Sequence, residues 1–263
     1  METKGKIGVF DSGLGGLWML SHIRALLPEY DYVFFGDQAY VPYGNKTDEE
    51  LFLRAQKIFT YLFETQGCAV ILLACNTTST TIFTQLQEWV RNKYPDRHIW
   101  GLVRPTIETI LLSEPVFFFG THRTINSHAY KTEMEKRGMI DIEEVELPEL
   151  ATRIENGGET AQYIESFNTF QNTKKSVGVL VCTHYGIVRE DFKKAFPHIT
   201  KWIYQEDIVP VFIKEYLESH LEIKESLSKL GTLTILVSKE NDVFTMWLTK
   251  WYGTEYSTKL IIV

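Results

Sequence analysis

Leu72-Leu73-Ala74-Cys75-Asn76-Thr77 and Leu180-Val181-Cys182-Thr183-His184 are two versions of one pattern. In each, an apolar run of strand length ends in a cysteine, and small or polar hydrogen-bonding residues follow. Similar short apolar runs recur along the chain, and Ile7–Phe10, Tyr30–Phe35, Ala69–Ala74, Ile99–Val103, Val116–Phe119, Val177–Val181 and Thr232–Val237 read as strands. Between them lie helical segments. Gly16–Leu27 carries apolar residues at 17, 20, 23, 26 and 27. Thr47 with Glu50 is a capping box that opens a helix running to about Gln66, where Gly67 ends it. Further helices are expected at Thr78–Lys93, Thr124–Arg137, Pro148–Glu155, Glu159–Phe170, Asp207–His220 and Asn241–Trp251. This β-α alternation predicts an α/β fold with parallel sheets covered by helices on both faces. In such sheets ligands bind beyond the carboxyl ends of the strands, where Cys75 and Cys182 both fall.

The composition narrows the function classes. At 263 residues the chain is long enough for one large or two small α/β domains, and no Pro/Ser-rich linker divides it. A hydrophobic share of 44% and a charged share of 23% argue against a disordered chain. The net charge of −7 does not steer the molecule to nucleic acid or to an anionic membrane. No apolar run reaches transmembrane length, and Met1–Lys6 is polar with no signal-peptide core after it, so a cytoplasmic protein is expected. Three cysteines without a CxxC pair make neither a disulfide framework nor a zinc site, and no metal or H-E-x-x-H motif is present.

A free cysteine is usually a small buried hydrophobe. Cys68, which precedes its strand, keeps that reading; the strand-end positions of Cys75 and Cys182 favour chemistry. Beside them lie groups that can draw or hold a proton. His184 is two residues from Cys182, and Asp11 ends the first strand. The turn Asp11-Ser12-Gly13-Leu14-Gly15-Gly16 offers backbone amides at a helix start, an anion site. It is no dinucleotide fingerprint, because Trp18 stands where a glycine is required, and no Walker loop, because no Gly-Lys-Ser/Thr follows. Two like thiols from two halves suit proton removal on one face of a carbon and delivery on the other. Their reference pKa of about 8.5 keeps acid and base forms within reach. A redox disulfide is the rival use.

At this point the chain resembles the cofactor-independent glutamate racemases of the aspartate/glutamate racemase superfamily. The resemblance rests on Gly8-Val9-Phe10-Asp11-Ser12-Gly13-Leu14-Gly15-Gly16-Leu17, on Phe35-Gly36-Asp37 with Val41-Pro42-Tyr43-Gly44, on Ala74-Cys75-Asn76-Thr77 and on Cys182-Thr183-His184-Tyr185, in the family's order and spacing. It implies two similar doubly wound α/β domains with pseudo-twofold symmetry, residues 1–97 plus 208–263 and residues 98–207, with glutamate in the cleft between them. Cys75 and Cys182 would be the acid/base thiols, supported by Asp11 and His184. Ser12, Tyr43, Gly44, Asn76, Thr77 and Thr183 would hold the substrate, with Pro42, Thr121 and Glu155 as further candidates near the site. The resemblance also implies a homodimer that uses neither pyridoxal phosphate nor metal and makes D-glutamate for peptidoglycan.

The chain departs from the family pattern in four places. Arg104-Pro105-Thr106 replaces Glu-Pro-Gly, and Arg123 replaces a glycine in Gly120-Thr121-His122-Arg123-Thr124. Val181 stands for Gly, and Gly186 for Pro. All four are expected near the cleft. They leave open a racemase of aspartate or another amino acid, a non-catalytic amino-acid-binding relative, and a lyase or decarboxylase of the superfamily.

Overall fold

A computed structural model describes residues 4–139, 141–168 and 175–263. Met1–Thr3 of the polar N-terminal stretch and the end of the helix expected at Glu159–Phe170 lie outside the described residues. Ten strands occur among those described: β1 (Lys6–Asp11), β2 (Tyr32–Gly36), β3 (Cys68–Leu73), β4 (His98–Trp100), β5 (Val116–Gly120), β6 (Ile142–Glu146), β7 (Val177–Leu180), β8 (Lys201–Tyr204), β9 (Leu233–Val237) and β10 (Thr258–Leu260). They form two sheets, ordered β10-β9-β2-β1-β3-β4 and β6-β5-β7-β8. Every pairing is parallel. Each sheet with its helices is called a lobe below.

The central strands are apolar almost throughout because helices bury both faces. Alternate side chains enter opposite cores. Ile7 and Val9 join Leu17, Leu20 and Val237, whereas Phe10 joins Ile58, Phe59 and Leu73. In the second lobe Phe117 and Phe119 pack with Phe192, and Val116 and Phe118 with Met134. No helix among the described residues is long and apolar enough to cross a membrane.

Several elements differ from expectation for local reasons. β6 and β8, the outer strands of their sheet, read as no strand in the sequence. Ile142-Glu143-Glu144-Val145-Glu146 buries only Val145 fully, so its charges hide the pattern. The run at Ile99–Val103 is the three-residue β4, and Val103 already opens the next helix. β4 pairs with β3, Val70 opposite His98, so the first sheet extends past residue 97. The Thr78–Lys93 segment is two helices, Asn76–Thr81 and Phe83–Lys93, with non-helical backbone at Ile82 between them. Threonine, which loses rotamer freedom in a helix, dominates the first. The 124–137 segment likewise divides into His122–Asn126 and Ala129–Lys136 at His128, whose φ is +51°.

Candidate active site

The carboxyl ends of β1 and β3 face those of β5 and β7 across a cavity of about 410 Å³. All thirteen residues singled out in the sequence line it: Asp11, Ser12, Pro42, Tyr43, Gly44, Cys75, Asn76, Thr77, Thr121, Glu155, Cys182, Thr183 and His184. Cys68 does not; it is the first residue of β3 rather than preceding it, and burial pushes its thiol up to about 12.

The two thiols have different surroundings. The Cys75 sulfur lies 3.9 Å from Ser12 Oγ. Burial, reinforced by the charge of Asp11, pushes its pKa up to about 11, so the proton stays on this sulfur at neutral pH. Asp11 is fully buried, and its Oδ2 accepts the Gly13 and Gly16 N–H groups at 3.0 and 2.8 Å. Its Oδ1 has no hydrogen-bond partner, and burial raises its pKa above the usual carboxylate range.

The Cys182 sulfur lies 3.8 Å from His184 Nδ1, and His184 Nε2 lies 2.5 Å from Glu155 Oε1. Burial acts to lower the His184 pKa, but its bonds to Cys182 and Glu155 outweigh burial and hold it well above the usual value. A charged imidazolium beside a sulfur favours the thiolate. The first lobe thus presents a protonated thiol, and the second a thiol beside a cation.

Three amides of the glycine-rich turn are taken by carboxylates of the protein itself. The amides of Gly13 and Gly16 are taken by Asp11, and that of Leu14 by Glu155 at 2.5 Å. The glycines also allow the lobes to approach. A Cβ at Gly13 would lie 1.9 Å from Glu155 Oε1, and one at Gly15 would lie 2.3 Å from Thr183 Oγ1.

Two expected binding side chains are already engaged. Tyr43 donates its hydroxyl to Asp37 at 2.7 Å, and Arg54 grips the same carboxylate through Nε and Nη2, which anchors the 42–45 loop. Asn76 donates to Gln205 Oε1 at 2.7 Å and accepts from Tyr130 at 2.5 Å. Gln205 also donates to Thr106 at 2.9 Å, so a buried polar hub joins the two lobes behind Cys75. Gly44 faces open space, and Thr121 caps the helix His122–Asn126.

Sequence reasoning missed other lining residues, among them Gln38, Lys239 and Asn241. Asn241 caps the helix Asp242–Tyr252 just beyond β9. The rule that ligands bind past strand ends pointed there, but no cysteine drew attention to it.

No protein-family model matches the chain. A curated relative from Phenylobacterium zucineum, a glutamate racemase, is 30% identical over 253 residues, covering 85% of this chain and 89% of that protein. This chain belongs to the glutamate racemase family. The glutamate racemase of Roseobacter denitrificans is 28% identical over 265 residues, covering 93% of this chain and 97% of that relative. The crystal structure of the Francisella tularensis glutamate racemase, in complex with D-glutamate, superimposes with a TM-score of 0.85 at 25% identity, covering 99% of this chain and 97% of that one. An isoform from Bacillus anthracis shares the fold, with a TM-score of 0.85 at 21% identity over 98% of both chains.

The four departures from the glutamate racemase pattern now have places. Arg104 is not at the cleft. It is exposed, pairs with Glu108 at 2.8 Å, and lines a separate groove of about 830 Å³ that contains neither thiol. Val181 is fully buried in the second lobe's core. Gly186 faces a buried carboxylate: a Cβ there would lie 2.2 Å from Glu206 Oε1, so a larger residue would have to displace the Glu206 side chain. Arg123 alone of the four lines the cavity, and it forms an ion pair with Asp48 of the opposite lobe.

Proposed function

We propose that this chain interconverts L- and D-glutamate, with Cys75 and Cys182 as acid and base on opposite faces of the α-carbon. The observation that carries this reading is that one cavity is lined by a thiol from each lobe, each with its own ionisable partner. In this reading Cys182, beside the His184 imidazolium, is the base, and Cys75, kept protonated by burial and by Asp11, is the acid.

The Cys182 thiolate takes the α-proton, and the electron pair of the broken C–H bond spreads into the α-carboxylate. The Cys75 S–H delivers its proton to the opposite face and becomes the thiolate. The reverse reaction exchanges the two roles. The α-proton is weakly acidic, so charge developing on the carboxylate needs hydrogen-bond donors in a site closed to bulk water. The hydroxyls of Ser12, Thr77 and Thr183 and the backbone around Gly44 and Asn76 are the groups we assign to hold the substrate. The Asn76 and Tyr43 side chains position that wall rather than reach from it, since both are already bonded. Glu155 holds His184 charged. The two lobes would act as two domains meeting at the crossovers after β4 and β8. We further propose a cytoplasmic homodimer supplying D-glutamate for peptidoglycan.

The test is proton NMR of L-glutamate and, separately, D-glutamate in heavy water, followed by chiral chromatography. Loss of the α-proton signal with growth of the opposite enantiomer is expected, and Cys75→Ala or Cys182→Ala should abolish inversion. No exchange from either enantiomer, in reduced and folded protein, would overturn the reading.

A further inference from the structure

Gln38 lines the cavity with Ser12 and Cys75, yet no role falls to it above. Its residue is 6% exposed, and neither Oε1 nor Nε2 of its amide has a hydrogen-bond partner. Its backbone surroundings are pinned. Asp37 is held by Tyr43 and Arg54, and the Ala39 N–H donates to Ser238 Oγ at 2.9 Å. Buried side-chain amides with both ends unpaired are rare, because each end forfeits its hydrogen bonds to water without replacement. The packed side chains around it supply no partner, and the residue borders the cavity, which a turn of the side chain would reach.

We propose that Gln38 is a substrate-contacting residue whose amide takes the zwitterionic head of the amino acid. An amide donates and accepts at once. Its Nε2–H donates to a carboxylate oxygen while Oε1 accepts from the α-ammonium, so one head group satisfies both ends. A side-chain carboxylate would satisfy only the donor. Both amide atoms are shut off from bulk solvent, so contact requires the side chain to turn toward the bound substrate. This assignment rests on the function proposed above and adds to it one member of the binding wall.

Gln38→Leu tests it, since leucine removes both polar ends at similar size. The expected result is a KM raised about ten- to a hundred-fold for both enantiomers, the range of a lost hydrogen bond to a charged group, with kcat changed far less. The melting temperature should hold or rise, because the unpaired amide is gone; a structural amide would lower it. Gln38→Glu, which loses the donor and adds a charge near the carboxylate, should raise KM further. An unchanged KM in Gln38→Leu would overturn the proposal whatever its stability. Calorimetric binding of D-glutamate to wild type and Gln38→Leu keeps the two readings apart. Absence of turnover in the wild type would fail the proposed function, whereas equal binding by both proteins would fail the role of Gln38 alone.

Discussion

Glu155 Oε1 lies 2.5 Å from His184 Nε2, and the same oxygen accepts the Leu14 N–H of the opposite lobe at 2.5 Å. One carboxylate oxygen therefore ties the charge state of the imidazole beside Cys182 to the closeness of the two lobes. Glu155→Gln keeps an acceptor for Leu14 but removes the negative charge facing His184. The His184 pKa, held well above normal against the opposing effect of burial, should then fall. A raised His pKa stabilises the fold fully below the unfolded value and loses that contribution as pH rises through the folded value. The variant should therefore lose activity first on the alkaline side, with the alkaline limb of its kcat profile moved to lower pH. At pH 8 a loss of about ten-fold or more is expected, less than the ~10²–10⁴ of a missing acid–base group. A parallel vertical drop at every pH would contradict it.

Asp11→Asn should separate stability from activity. Burial raises the Asp11 pKa, so the folded state binds a proton that the unfolded chain releases. Its contribution to stability is full below the unfolded value and is lost as pH climbs above it. At pH 7 the buried carboxylate is thus a cost, and the asparagine oxygen can still accept from Gly13 and Gly16. Urea unfolding at pH 7 should show stability held or improved by about 1 kcal/mol, while turnover falls sharply. A variant that is both weaker in urea and fully active would refute this assignment.

Gly13→Ala places a methyl group 1.9 Å from where Glu155 Oε1 now sits, so the carboxylate must move away from His184. Activity should fall about as far as in Glu155→Gln, and the double variant should be little worse than either single one, because the two changes break one connection. Additive losses in a double-mutant cycle would show that the methyl acts elsewhere.

Arg123 and Asp48 join the lobes at the cavity mouth, with both side chains partly exposed. An ion pair of that exposure is worth about 1 kcal/mol or less and is weakened by salt. Arg123→Gly should speed alkylation of Cys182 by iodoacetamide about two- to five-fold at low ionic strength, the most such a pair allows. The difference from wild type should shrink as salt rises. Peptide mass spectrometry reads it, and equal rates at low salt would disprove a closing role.

Much of the site was legible in the sequence because its residues follow strands. Asp11, Cys75 and Cys182 each stand at or just past the end of an apolar run, and a parallel sheet with covered faces brings such ends to one rim. The lone histidine gained meaning from a cysteine two positions away. β6 and β8 were illegible for different reasons: β6 carries three glutamates in five residues, and β8 is only four residues long. Gln38 was illegible for another reason: an unpaired amide is a statement about neighbours, and no local pattern records it.

The sequence by itself determined the α/β class, the parallel sheets and the paired strand-end thiols, since these depend on periodicity and on residue type at an element's end. Only the tertiary structure decided how the groups are used. It made the glycine-rich turn a close-approach surface, with the Gly13, Leu14 and Gly16 amides held by Asp11 and Glu155. It bound Asn76 into a hub with Gln205 and Tyr130, and it separated Arg123, at the cavity, from Arg104, outside it. The physical reason is range. Strand and helix patterns are set by neighbours in the chain, whereas hydrogen-bond partners, burial and proton affinity are set by groups more than a hundred residues away that only the folded chain brings within 3 Å, as with Leu14 and Glu155.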